Sequence, residues 1–179
     1  MKKTSALDMT TGRDTGLILR FALPLLIGNI FQQFYNAADS IIVGRFVGKQ
    51  ALAALGVTSP VMNIVIFTVI GLCTGASIFM ATLWGEGDME KCRREFCTCI
   101  LAGLGFTVVV SLTAMLLIRP ILRAMQTPEE LMTDAVVYLR IIFAGLVCTF
   151  LYNIYTAALR AAGDSASPLY FLVISSGIN

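Results

Sequence analysis

QALAALGVTSPVMNIVIFTVIGLCTGASIFMATLWG, residues 50–85, holds no Asp, Glu, Lys or Arg. A helix needs roughly 20 apolar residues to cross the hydrocarbon core of a bilayer. This run is long enough for one tilted spanning helix and an interfacial turn. Other charge-free runs extend from Phe21 to Ala38, Phe96 to Ile118, Ile141 to Leu159, and Ser165 to Asn179. Charged residues fall in clusters between them, as when polar loops alternate with membrane spans.

Composition points the same way. With 57% hydrophobic and 13% charged residues and a mean hydropathy of +0.82, the chain carries more apolar surface than one soluble core can hide. The expected fold is all-α, a polytopic transmembrane helical bundle. Its expected parts are a cytoplasmic tail over 1–15, span one over 16–46, span two over 50–86, and span three over 90–124 with an outer interfacial turn. Span four covers 128–162, and 166–179 begins a fifth that stops inside the membrane. Loops are short, so neighbouring helices run antiparallel. Lys2, Lys3, Arg13, Arg20 and the cluster Lys91, Arg93, Arg94 place the N-terminus in the cytoplasm by the positive-inside rule. The net charge of +2 gives no reason to expect a nucleic-acid partner. No short apolar region with a small-residue cleavage site follows Lys2 and Lys3, so the first span is expected to remain as an anchor.

Local signals refine the boundaries. Gly44 to Gly48, Gly85 to Asp88, Met125 to Pro128 and Gly163 to Pro168 punctuate the spans. Thr127 is expected to cap span four, with Pro128 at its first position and Glu129 and Glu130 in its first turn. Pro24 and Pro60 suit either a kink or a first turn. Gly71 and Gly75 make a Gly-x-x-x-Gly step, continued by Ser77 and Ala81, expected to let another helix approach.

Polar residues inside apolar helices are the functional candidates. A carboxylate in a span costs about 2.5 to 3.5 kcal/mol on insertion scales and is tolerated toward a bundle interior or a water-filled cavity. Asp39 is therefore the leading candidate, although pairing with Arg45 or Lys49 at the outer interface would also hold it. Asn29, Gln32 and Asn36 recur at helical spacing upstream, so the four form one polar stripe that lines a cavity or bonds to a neighbouring helix. Thr149, Asn153, Thr156 and Arg160 form a second stripe in span four. The threonines have a local outlet in their own helix carbonyls; Asn153 is expected to have no equally cheap one.

Other chemistry is not indicated. The chain has no histidine, Gly-Lys-Ser/Thr or His-Glu-x-x-His motif, so neither ATP hydrolysis nor a zinc peptidase site is expected. Cys92, Cys97 and Cys99 lack a usual zinc spacing and read as small apolar residues near a helix start. No cofactor, no metal beyond a possible Na⁺ at Asp39 and no enzymatic activity are expected. Uphill transport would draw on an ion gradient or a partner.

PLLIGNIFQQFYNAADSIIVGRFVGKQALAALGVTSP, residues 24–60, and LRAAGDSASP, residues 159–168, resemble the multidrug and toxic compound extrusion (MATE) family. The first has an early Pro, an Asp near the outer helix end, and Val-Gly-x-x-x-Gly before Ala-Leu-Ala-Ala-Leu-Gly. The second is similar to the family's link between spans four and five. The resemblance implies a partial N-terminal lobe of a twelve-helix antiporter of the cell membrane. Such a protein exports organic cations or other amphiphiles against H⁺ or Na⁺ by alternating access. It also implies a cation or proton site at Asp39, Asn153 and Asn179, which agrees with the two stripes, whose Asn29, Gln32, Asn36, Thr149 and Thr156 are expected to line the cavity. The expected partners are a small organic substrate, the lipid bilayer and a C-terminal lobe. The alternatives are a non-transporting fragment, a subunit dependent on a partner, or a lipid-linked-oligosaccharide flippase, against which the lack of a basic cavity lining argues. A membrane enzyme would have only a lone Asp to work with.

Overall fold

A computed structural model of the chain describes residues 14–178, with side chains described except at 14, 20 and 176–178. The described residues form a polytopic all-helical bundle without strands. Helix α1 runs Asp14–Ile42 and continues as a π-helical turn, Val43–Val47; α2 is Lys49–Gly85, α3 Met89–Ala124, α4 Glu129–Ala144, α5 Leu146–Ala161 and α6 Ala166–Ile178. The segments Thr15–Val47, Lys49–Gly85 and Met89–Ala124 are each long and apolar enough to cross a membrane, and α4 with α5, bent by 44° at their break, meets that measure only as a pair. With 37 residues, α2 is about 55 Å long at 1.5 Å per residue, so it must tilt or project beyond the hydrocarbon.

The chain stays helical through Gly44, where a turn is expected, and leaves the helix only at Gly48 (φ +120°). The Gly48 amide donates to the Val43 carbonyl at 3.1 Å, closing the wide π turn. Pro24 and Pro60 both lie inside their helices, so neither is a first-turn proline. Each removes an amide donor there.

Helices α2 to α5 pack on one another, while α1 lies against α6 and the π turn. Two apolar clusters hold the four-helix pack. One joins Val61 of α2, Ile118 and Leu122 of α3, and Leu139 and Phe143 of α4. The other joins Val69 and Met80 of α2 to Leu146, Phe150 and Ile154 of α5. Outside them the surface is apolar: Leu116 is 81% and Phe46 79% exposed, and Ile64, Phe67 and Leu101 also face outward. That pattern suits lipid as the solvent, with backbone groups satisfied inside the helices.

The closest helix approach is elsewhere than expected. Nothing lies within 4 Å of a Cβ placed on Gly71 or Gly75, so the Gly-x-x-x-Gly step meets no neighbour among the described residues. Instead, Gly103 of α3 lies under the Phe150 ring of α5, where a Cβ would stand 2.2 Å from Cζ. A missing side chain there lets α3 and α5 close around an aromatic residue that is 2% exposed.

The stretch expected as one span over 128–162 is two helices meeting at Gly145. A break at membrane depth leaves carbonyls that must find donors. Ser111 of α3 provides one: its hydroxyl donates to the Phe143 carbonyl at 2.7 Å. The Thr127 cap is also corrected. Pro128, with φ −56° and ψ 140°, stands at the cap position itself, and the buried Thr127 hydroxyl has no hydrogen-bond partner among the described residues. By contrast, Asp88 caps α3, accepting from the Lys91 amide at 3.0 Å and pairing with its ammonium at 2.7 Å.

Candidate functional site

The α1 stripe is tied along its own helix. Gln32 donates to the Asn36 carbonyl oxygen at 3.3 Å, and Asn36 donates to Gln33 at 3.3 Å. Asn29 and Asn36 are exposed, whereas Gln32 and Asp39 are half-buried. One turn before Asp39 on the same helix face, the Tyr35 phenol stands within electrostatic reach of its carboxylate. The carboxylate's charge also reaches the Tyr138 phenol on α4, whose hydroxyl lies 3.7 Å from Met62 Sδ of α2. Asp39 is thus linked to α1 through Tyr35 and faces the four-helix pack through Tyr138. Neither tyrosine is among the expected site residues. Tyr35 was detectable, since it lies four residues before Asp39 on one helix face; Tyr138 depends on a long-range contact without a local signal.

The α5 stripe has a separate setting. Thr149 donates to the Gly145 carbonyl at 3.4 Å, and Asn153 Nδ2 donates to the Thr149 carbonyl at 2.8 Å. Asn153 therefore does have a local outlet, contrary to expectation, because its amide reaches back one turn as a threonine hydroxyl does. Its side-chain oxygen is left for another partner. Asn153, Thr156 and Arg160 line a cavity of about 540 Å³ between α2, α5 and the start of α1, whose lining does not include Asp39. Arg160 gives that lining a basic group, which removes the argument against an anionic headgroup. The described structure does not bring Asp39 and Asn153 into one hydrogen-bonded site, and Asn179 lies outside the described residues.

The turn between α5 and α6 is built on Asp164. Gly163 there takes φ +82°, and buried Asp164 then caps α6. Its Oδ1 accepts from the Ala166 and Ser167 amides at 3.1 and 3.0 Å, and its Oδ2 accepts from the Ser167 hydroxyl at 2.6 Å. Burial pushes its pKa up, but the bonds from Ser167 and Ala166 outweigh it and hold the carboxyl below its ordinary value. This is a fixed structural carboxylate.

Among the described residues, no cluster of His, Cys, Asp and Glu has the makings of a metal site. All five cysteines are free thiols.

Comparison with known proteins fits this architecture. The chain is 33% identical over 159 residues to the Bacillus subtilis protein named "Probable multidrug resistance protein YoeA", covering 89% of this chain and 34% of that one. It is 29% identical over 168 residues to a Shewanella oneidensis FAD transporter, covering 91% of this chain and 36% of that one. The chain thus spans about a third of the length of these relatives. Its fold superposes on an outward-facing multidrug resistance MATE family transporter of the MOP superfamily with a TM-score of 0.89 at 29% identity, covering 99% of this chain and 39% of that one. Residues 24–179 match the MatE family. The chain belongs to the MatE family.

Proposed function

We propose that this chain supplies the first spans of an N-terminal lobe in a cation-coupled antiporter of the cell membrane. That transporter exports drugs or other amphiphilic organic cations and metabolites in exchange for H⁺ or Na⁺ by alternating access. The observation that carries the proposal is Asp39, a carboxylate on an apolar spanning helix that acts electrostatically on Tyr35 of its own helix and on Tyr138 of a different one. An ionisable group in such a place is retained for function. Loading it with H⁺ or Na⁺ changes the charge that α1 presents to α4 and so biases how the two helices pack. Among the described residues α1 lies mainly against α6 and the π turn, and the π turn packs on α2, so a shift of α1 would be passed to the four-helix pack.

In the arrangement described Asn153 stands apart from Asp39; when α1 shifts, Asn153 and Asn179 reach the loaded carboxylate as amide partners, with Asn29, Gln32, Asn36, Thr149 and Thr156 lining the paths between. A carboxylate with amide oxygens suits either ion. With the N-terminus inside, Asp39 lies toward the external face and the α2–α3 and α5–α6 turns toward the cytoplasm. The test is dye efflux from cells expressing the full-length protein. Asp39→Asn is expected to abolish gradient-driven efflux at unchanged expression, and unaltered efflux would overturn the proposal. A second cargo class, anionic and aromatic, is favoured by the likeness to the FAD transporter. Competition between FAD and a cationic dye distinguishes the two.

A further inference from the structure

The cavity beside α5 carries, in Arg160 and the apolar residues around it, chemistry that the coupling proposal leaves unassigned. It opens at the end of the bundle that carries the α2–α3 and α5–α6 turns, where Trp84, Gly85 and the segment Arg160 to Gly163 line it. Deeper in, its walls are apolar, from Phe21 of α1, Ile70 and Ile78 of α2, and Ala157 of α5. No Asp or Glu is in the lining, so Arg160 is its one charged group.

Thr156 and Arg160 give this cavity a polar edge on one face of α5. Thr156 is 7% exposed as a residue, and its hydroxyl is not one of the buried orphans, which are those of Thr107 and Thr127. Arg160, one turn further along the same face of α5, forms no ion pair there. Of the acidic groups at this end of the bundle, Asp164 accepts its three bonds within the α6 cap and Asp88 is paired with Lys91, while Glu86, next to the lining residue Gly85, is exposed. With no acidic side chain in the lining, an oxyanion is the ligand chemistry that the Arg160 guanidinium and the Thr156 hydroxyl can both serve. Guanidinium groups favour the paired oxygens of phosphate and carboxylate, and a Trp at the mouth of an apolar slot is suited to the interface between tail and headgroup.

We propose that this cavity binds an amphiphilic anion, its acidic group on Arg160 and the Thr156 hydroxyl and its apolar body along Phe21, Ile78 and Trp84. An acidic phospholipid of the adjacent leaflet and a free amphiphilic anion share this chemistry. Assignment of that leaflet to the cytoplasm rests on the orientation proposed above; the binding chemistry does not.

The experiment is native mass spectrometry of the full-length protein in detergent with three probes: dioleoyl phosphatidylglycerol, dioleoyl phosphatidylcholine and dodecyl phosphate. Wild type is expected to retain an anionic probe about fivefold to tenfold better than the zwitterionic lipid. Arg160→Gln should remove that preference, Arg160→Lys should keep part of it, and Thr156→Val should weaken it. Retention of phosphatidylglycerol identifies a lipid site, and Arg160-dependent retention of dodecyl phosphate alone identifies a free anion. Equal retention of all three probes by wild type, or an unchanged preference in Arg160→Gln, overturns the proposal. Should Arg160→Gln fail to fold, Arg160→Lys and Thr156→Val decide: neither lowering the preference overturns it. Dye efflux that survives Asp39→Asn would sink the coupling proposal and leave this result standing.

Discussion

The Phe150 ring occupies the space that a side chain on Gly103 would need, with Cζ 2.2 Å from the position of a Cβ. Gly103→Ala therefore forces α3 and α5 apart or moves Phe150 from its place in the core. Overpacking of this kind costs about 1 to 3 kcal/mol. Thermal melting of the full-length protein in detergent should show the loss. Gly75→Ala, at a position open in the described fold, should change the melting temperature little.

Ser111→Ala tests the bend at Gly145. The variant strips the Phe143 carbonyl of its 2.7 Å donor in a buried place. A loss of about 1 kcal/mol is expected, with faster amide exchange confined to the residues flanking Gly145. Unchanged exchange there would show that Ser111 is not what holds the bend.

The α6 cap sets a pH dependence. Asp164 has its pKa lowered from an ordinary 3.8, so the unfolded chain takes up a proton here before the folded one does. Its contribution is fully present above the ordinary value and is lost as pH falls through the lower folded value. Asp164→Ala should cost about 1 kcal/mol at neutral pH, the usual worth of a cap. It should also flatten the melting profile below about pH 4.

Tyr35→Phe removes the phenol hydroxyl one turn from Asp39 and keeps the ring. Export should fall about twofold to tenfold without vanishing, because the carboxylate remains. Tyr138→Phe tests the link to α4 in the same way, and wild-type efflux in both variants would place the tyrosines outside the coupling chemistry.

How far the sequence was legible depends on how local each signal is. Charge-free runs reveal an all-helical membrane bundle because a bilayer demands them, and Asp39 stands out because burying a carboxylate is costly. The break at Gly145 is silent, since a glycine within an apolar run has no turn residues around it and its missing donor comes from distant Ser111. Gly71 and Gly75 have the spacing for close packing, but spacing does not say what lies opposite; Gly103 has no motif and meets Phe150. Thr127 sits one residue too early to cap α4, because Pro128 remains extended and takes the cap position. Asn153 turned inward on its own helix by a bond that its residue type allows but does not announce.

The most direct test of the central claim is gradient-driven export by the full-length protein in proteoliposomes, comparing wild type with Asp39→Asn under an imposed pH or Na⁺ gradient while cargo binding is measured in parallel. Loss of gradient-driven export with cargo binding retained is the predicted result. Export that follows the gradient equally well without the carboxylate would contradict the account.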